Sequence, residues 1–358
     1  MSAPTVAIIG LGFGRAHIPA FQSQGCRVVA VCQRDQATAR KVADAYGVPE
    51  VFARWQDVLE RARPEIVVIA TPPHLHHDIA LAAFGAGAHV LCEKPVALTQ
   101  AEARAMVDAA ARARRVAMTG FNWRFPAAMQ RMHAMVADGF VGRVLHVSGR
   151  WFGARWADEA SAATWRMDRT QAGHGAMGDM GVHLVDLVRW LCGDMKRLVA
   201  HSGIAYPRTV PGTSKAADAE DYAAVVAELV SGAEATLAVS RAAHGRNEHT
   251  LEVYGTRGAL AYRLTRDLPR WYMGELLAAS PGGGFQPVTV DAPSVDGGDQ
   301  MDVLGKATIG PLVARMLAAM RDAGTPTPSL IDGLRAQAVL DAVLDSVARH
   351  AWVDVAAS

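Results

Sequence analysis

Thr5-Val6-Ala7-Ile8-Ile9-Gly10-Leu11-Gly12-Phe13-Gly14-Arg15-Ala16-His17 opens with strand-forming apolar residues, passes through three alternate glycines and enters a helix that should run to about Ser23. Strand, glycine turn, helix is the context in which a glycine-rich loop binds a dinucleotide. Gly10 permits the tight turn. Gly12 lets the backbone approach a pyrophosphate, whose charge the free N–H groups at the helix start would meet. The third glycine falls at Gly14, and Arg15 stands where the usual spacing has Gly or Ala. Either the loop is one residue tighter, or Arg15 itself faces a phosphate. Gly10, Gly12, Phe13, Gly14 and Arg15 are therefore the expected cofactor contacts.

A second strand over residues 27–31 leads into Cys32-Gln33-Arg34-Asp35. An acidic side chain about 20 residues past the glycines would take the ribose hydroxyls of NAD. Gln33 occupies that place. A neutral side chain removes repulsion toward a 2′-phosphate, and Arg34 can pair with one, which favours NADP(H). Asp35 lies close enough to serve an NAD(H) ribose, so both cofactors stay open. Residues 66–70 form an unbroken apolar run, expected as a central parallel strand. It stops at Thr71-Pro72-Pro73. In His74-Leu75-His76-His77 no acid or cysteine lies at ligand spacing, so no metal is expected there. His76, one turn into the next helix, is expected to line the cofactor cleft.

His89-Val90-Leu91-Cys92 reads as a short buried strand that Glu93-Lys94-Pro95 terminates. A lysine is seldom buried without a task. At the carboxyl end of a parallel strand, Lys94 would meet ligand. Thr99-Gln100-Ala101-Glu102 is a capping box opening a helix to about Arg114, and residues 116–120 form a further strand. The alternation predicts a doubly wound parallel sheet, a Rossmann domain over residues 1–121.

The pattern then changes. Phe121-Asn122-Trp123-Arg124-Phe125-Pro126 is a polar and aromatic junction, followed by a helix to about Asp138. Residues 145–151, 219–229, 233–241, 249–254 and 258–263 alternate as strands joined by short glycine turns, which predicts antiparallel pairing. Residues 122–358 are thus expected as an α+β substrate and oligomerisation domain with one large, open, mostly antiparallel sheet. Residues 278–298 should be loop, and 308–323 and 332–350 helices. A helix is expected from Asp179 onward. Asp179 and His183 are four apart, which puts their Cβ atoms on one face about 5–6 Å apart. A carboxylate beside an imidazole makes a general acid/base; a helix-start aspartate and a core histidine would explain the same residues. Asn122, Arg124, Trp165, Arg166, His174 and Asp186 are candidates to hold substrate hydroxyls, although a structural ion pair explains Arg166 and Asp186 equally well.

Lys and Arg number 36 against 35 Asp and Glu, so no charge excess points to nucleic acid or to a membrane surface. Hydrophobic residues make up 51%, too many for a disordered chain. No uninterrupted apolar run approaches a membrane span, and the amino terminus lacks the basic region of a signal peptide. The four cysteines are scattered, as in a reduced cytoplasm.

On the glycine start with His17, Thr71-Pro72-Pro73 with His76, Glu93-Lys94-Pro95, and Gly178-Asp179-x-x-Gly181-x-His183, the chain resembles the Gfo/Idh/MocA oxidoreductases, the glucose–fructose oxidoreductase and inositol dehydrogenase superfamily. The resemblance implies an NAD(P)-dependent enzyme that interconverts a secondary alcohol and a ketone on a sugar, inositol or related polyol. It implies Lys94, Asp179 and His183 as the catalytic set, with Thr71, Pro72, His76, Glu93 and Lys94 beside the cofactor. It also implies a cis Lys94–Pro95 peptide and a homodimer or homotetramer formed through the carboxyl-terminal sheet. Some relatives are redox-neutral glycosidases, and others are dinucleotide-sensing regulators. Gly173-His174-Gly175 interrupts a run that is commonly all glycine, which points His174 toward substrate.

Overall fold

Ile66–Ile69 contains no polar side chain and is fully buried, the condition of a strand covered on both faces. It is the fourth of six parallel strands: β1 (Thr5–Ile9), β2 (Arg27–Cys32), β3 (Glu50–Phe52), β4 (Ile66–Ile69), β5 (His89–Cys92) and β6 (Ala117–Thr119). They bond in the order β3-β2-β1-β4-β5-β6. The order reverses between β1 and β4, where open parallel sheets bind ligand beyond their carboxyl ends. The computed structural model describes residues 3–266, 270–291, 294, 295, 297–322 and 324–357.

Thr99 caps the helix Gln100–Ala113 by accepting the Glu102 N–H at 3.2 Å. Glu102 reaches one residue further back than a capping box requires, accepting the Leu98 N–H at 2.9 Å.

The chain forms two compact units, Met1–Phe125 with Val295–Leu334, and Pro126–Ser294 with Arg335–Ser358. Polar and close backbone contacts tie Val295–Leu334 into the first. Tyr46 Oη donates to Asp302 at 2.5 Å and Thr119 Oγ1 to the Ser329 carbonyl at 2.9 Å. Gly305 leaves its backbone so near Ala16 that a Cβ would lie 2.2 Å from the Ala16 carbonyl oxygen. The helix Gly310–Asp322 follows a π turn, Gly305–Ile309; the expected end at Ala323 lies outside the described residues. The stretch Gln300–Asp322 is long and apolar enough to cross a membrane by composition, but 56% of its apolar window is buried in the structure, as in a core helix.

The second unit contains β7 (Val144–Gly153), β8 (Met195–Gly203), β9 (Tyr222–Leu229), β10 (Glu234–Ser240), β11 (Asn247–Gly255), β12 (Ala259–Thr265), β13 (Glu275–Ala279), β14 (Gln286–Pro287) and β15 (Val353–Asp354). They make one sheet in the order β14-β13-β12-β11-β7-β10-β9-β8-β15. Only the β7–β10 pair is parallel. The mostly antiparallel sheet is as expected. β13 and β14 fall partly in the stretch expected as loop; Ala292, Pro293 and Asp296 of that stretch lie outside the described residues. β8 was not anticipated, because Lys196-Arg197 breaks its alternation. The expected helix start at Asp179 is instead a π turn, Met177–Gly181, with the α-helix running from Val182 to Cys192. Glycine explains this. Gly178 and Gly181 are weak helix formers, and a Cβ on Gly181 would lie 2.7 Å from Met177 Sδ.

The glycine loop offers a paired test of this local account. Gly10 has φ +93°, and a Cβ there would lie 2.5 Å from the Ala70 carbonyl oxygen, whereas one on Gly12 would meet nothing within 4 Å. Gly10→Ala should lower the urea-unfolding free energy by about 2 kcal/mol or more, from left-handed backbone strain and overlap together. Gly12→Ala should leave it within about 0.5 kcal/mol. Equal effects would contradict the assignment.

Candidate active site

In the first unit, Gly14 closes the gap between helix and sheet: a Cβ there would stand 2.9 Å from Ala70 Cβ and 3.2 Å from Ile8 Cγ2. This is the packing role of a dinucleotide loop's third glycine. The loop accommodates the shortened spacing with a 3₁₀ turn, Phe13–Ala16, that passes directly into the helix His17–Ser23. Gly12 faces open space, and the buried Thr71 hydroxyl finds no hydrogen-bond partner among the described residues. Both features fit a bound dinucleotide. Arg15 forms a partly exposed ion pair with Asp299 at 2.5 Å. Gln33 Oε1 accepts the Leu11 N–H at 3.1 Å, so the end of β2 is tied to the glycine loop. Arg34 is exposed. Asp35 caps the helix Gln36–Tyr46, accepting from the Ala37 and Thr38 N–H groups and, at 2.6 Å, from the Thr38 hydroxyl. The Thr38 hydroxyl and N–H hold its carboxyl below the usual carboxylate range.

At the end of β5, Glu93 donates its N–H to the Ile69 carbonyl at 2.8 Å. Its Oε1 meets His17 Nε2 at 2.8 Å, with the two side chains 8% and 0% exposed, and its Oε2 accepts the Lys94 N–H at 3.3 Å. Gly120, just past β6, leaves room for this carboxylate; a Cβ there would sit 2.6 Å from Glu93 Oε1. The Lys94–Pro95 peptide is cis, and Lys94 is half-buried. His76 is 1% exposed: its Nδ1 lies 2.9 Å from the Pro95 carbonyl oxygen and its Nε2 2.8 Å from that of Thr71. Burial lowers its pKa against the pull of both carbonyls. The structure thus places His76 inside, joining the ends of two strands. Pro72 precedes the short 3₁₀ turn that leads to it.

Asn122 and Arg124, expected at substrate, are 1% and 2% exposed. Asn122 Nδ2 donates to Thr308 Oγ1 at 2.8 Å. Arg124 donates to Thr327 Oγ1 at 3.3 Å and to Asp332 Oδ1 at 3.1 Å. Among the described residues no group of three or more His, Cys, Asp and Glu is arranged to hold a metal.

In the second unit, the π turn carries Asp179 and the helix after it carries His183, which is 3% exposed. The Trp151 ring of β7 lies 5.5 Å from the His183 ring and 4.5 Å from that of His249. Glu220 braces the approach to the turn: its Oε1 accepts the Gly175 N–H at 2.8 Å and the Met177 N–H at 3.0 Å. Gly175 is obligatory here, since a Cβ would overlap the Glu220 backbone. His174 is 2% exposed, and its ring nitrogens have no hydrogen-bond partner among the described residues. Burial lowers its pKa, while the Glu220 and Asp341 carboxylates pull it up. Asp186 is also buried.

Arg166 lies over the Trp165 ring at 4.4 Å, with its Nε 3.8 Å from Asp179 Oδ1. Its carbonyl is fixed by Arg241 Nη1 at 3.0 Å, and Arg241 Nε pairs with the buried Asp221 at 2.8 Å. Arg208 joins that carboxylate at 3.5 Å and donates to the Trp156 and Ser161 carbonyls at 3.0 and 3.1 Å. Sequence reasoning missed Glu220, Asp221, Arg208 and Arg241, all structural supports. The signal was there: consecutive acids precede β9 and an arginine follows β10, at strand ends where the alternation is otherwise apolar.

Two family models cover most of the chain. One, described as an oxidoreductase family with an NAD-binding Rossmann fold, matches residues 5–121. The other, described as a GFO/IDH/MocA C-terminal domain, matches residues 129–261. A levoglucosan dehydrogenase of Pseudarthrobacter phenanthrenivorans is 29% identical, covering 98% of this chain and 97% of the relative. An oxidoreductase of Synechocystis is 30% identical over 98% of this chain and 96% of its own length. A solved levoglucosan dehydrogenase in complex with NADH and L-sorbose superposes with a TM-score of 0.89 at 28% identity over the whole of both chains.

The histidine beside Trp151 carries a pH prediction. Burial, with the Arg266 charge adding to it, pushes the His249 pKa down to about 3. The unfolded chain therefore binds a proton near pH 6.5 that the folded one refuses. Stability is full above that pH and lost as pH falls toward 3, at about 1.4 kcal/mol per pH unit. The urea-unfolding free energy measured from pH 7 to 4.5 should fall, with a shallower slope in His249→Gln. An unchanged slope in the variant would contradict the assignment.

Proposed function

That the chain belongs to the Gfo/Idh/MocA oxidoreductases is the premise from which we propose its reaction: a secondary alcohol of a sugar or related polyol is oxidised to the ketone, or the reverse. The protein is an oxidoreductase with an NAD-binding Rossmann fold, and full-length likeness to a sugar dehydrogenase supports the substrate class. The observation that carries the proposal is the π turn and helix that bring Asp179 and His183 onto one braced segment, with Arg166 beside Asp179.

A nicotinamide dinucleotide, when bound, supplies the hydride acceptor or donor. Gly10, Gly12, Phe13 and Gly14 would hold its pyrophosphate, with Thr71, Pro72 and Glu93 nearby. His183 takes the alcohol proton or returns it. Lys94 hydrogen-bonds the reacting oxygen and stabilises its developing negative charge. Asp179 orients substrate and modulates His183. Asn122, Arg124, Trp165, Arg166 and His174 are the polar and aromatic groups proposed to contact the substrate.

For the cofactor we favour NADP(H), with NAD(H) also accepted. Gln33 is neutral, Asp35 is committed to its helix cap, and exposed Arg34 is available to a 2′-phosphate. The likeness to a dehydrogenase solved with NADH supports use of NAD(H). A cytoplasmic homodimer or homotetramer, assembled through the nine-stranded sheet, accompanies this reading.

The test titrates wild type and His183→Ala with NADH and NADPH by fluorescence, then assays turnover of sugars and inositols at 340 nm with the tighter cofactor. The expected result is tighter NADPH binding, retained in the variant, with turnover cut by about 10²-fold or more. Tighter NADH binding would reverse the cofactor preference alone. Undiminished turnover in the variant would overturn the role of His183. Sugar release without absorbance change would replace the dehydrogenase by a redox-neutral glycosidase.

A further inference from the structure

Three guanidiniums of the second unit lie against three tryptophans, one of them beside Asp179. Arg166 is 4.4 Å from the Trp165 ring, Arg155 is 4.7 Å from Trp156 and Arg266 is 5.5 Å from Trp271. They come from three separate stretches of the second unit: the segment after β7, the 3₁₀ turn Trp165–Met167 and the end of β12. Arg166 Nε stands 3.8 Å from Asp179 Oδ1. Burial lowers the pKa of Arg166; Asp179 opposes this, and Arg155 and Arg241 add to it. Arg266 is lowered by burial in the same way, with Asp179 opposing and Arg155 adding. Asp179 therefore attracts both Arg166 and Arg266, and Arg155 repels both.

Arg241 has a structural place, since the buried Asp221 neutralises it and it fixes the Arg166 backbone. Arg155 is different. It is exposed, and its neighbour Trp156 is buried with Arg241 at 5.3 Å on that same ring. A guanidinium resting on an aromatic ring loses little further freedom when its N–H fork engages a planar or tetrahedral anion. Like charges repel, as Arg155 does Arg166 and Arg266, and an arriving anion relieves that repulsion.

Resting on the dehydrogenase reading, we propose that Arg155, Arg166 and Arg266 receive an anionic group of the substrate, a carboxylate or a phosphate, so that acidic sugars are preferred over neutral ones. The anion lies across the arginines while Asp179 and His183 face the hydroxyl that reacts. The tryptophans hold the forks in place.

Matched pairs test this: D-glucuronate against D-glucuronamide, and D-glucose 6-phosphate against D-glucose, each assayed for kcat/KM with wild type and Arg155→Ala. Tryptophan fluorescence of the cofactor-loaded protein gives the affinity in parallel. We expect one charged member to exceed its neutral partner by about tenfold or more, the scale of a charge-assisted hydrogen bond. That ratio should shrink in the variant and at high salt. The pair that responds distinguishes carboxylate from phosphate. Turnover with ratios near one in both pairs overturns the anion site and leaves the dehydrogenase reading standing. Without any turnover the dehydrogenase reading fails for these sugars, and fluorescence decides the site alone: tighter binding of a charged member, weakened in Arg155→Ala, supports it, and equal binding overturns it.

Discussion

Glu93 places a nearly buried carboxylate at the end of β5, against the His17 imidazole on one side and the Lys94 N–H on the other. A charge taken out of water is tolerated only when its lone pairs are met, and breaking such a pair is far costlier than never having built it. The pair therefore fixes three chain segments at once. The glycine loop's helix is held through His17, the Lys94 turn through its own N–H, and the chain beyond β6 through the close approach of Gly120. His76 adds a second tie, between the ends of β4 and the Lys94–Pro95 turn. The carboxyl edge of the parallel sheet is thus held by polar side chains packed inside it. The backbone of Lys94 is fixed on that edge, the rigid base that its proposed role toward a developing charge calls for.

The second unit solves the same problem with different groups. Glu220 satisfies two backbone N–H groups ahead of the π turn, and Asp221, its neighbour in sequence, binds Arg241 and Arg208. Consecutive acids at the start of β9 thus brace two loops, one leading to Asp179 and one carrying Trp165 and Arg166. A π turn is wider than an α turn and is frequent at functional sites. Here the glycines on either side of Asp179 permit it.

Much of this was legible in the sequence. Five of the six parallel strands followed from apolar runs ending in Gly, Pro or polar residues, and the alternating strands of the second sheet from their period of two; the three-residue β3 did not. The glycine loop was recognisable despite its spacing, because Gly14 packs as a third glycine would. What escaped were features set by distant partners. No local pattern indicates that Val295–Leu334 packs with the first unit, since Asp302, Thr308 and Asp332 find their partners more than 180 residues away. Likewise, no local pattern indicates the ion pair of Arg15 with the sequence-distant Asp299. The cap that Asp35 places on the helix Gln36–Tyr46 was not read from the sequence either. The burial of His76 and His174 depends on packing that a local motif does not display. Two-residue strands such as β14 and β15 carry no periodicity to read.

The central claim is hydride transfer between a nicotinamide and a sugar carbon, and isotope transfer tests it most directly. The protein would be incubated with NADPH or NADH carrying deuterium at both C4 positions of the nicotinamide and a panel of keto-sugars, and the alcohols formed would be weighed by mass spectrometry. The account predicts an alcohol one mass unit heavier, with the label bound to carbon and not exchanged with water. Product formed without label, or label lost to solvent, would contradict it.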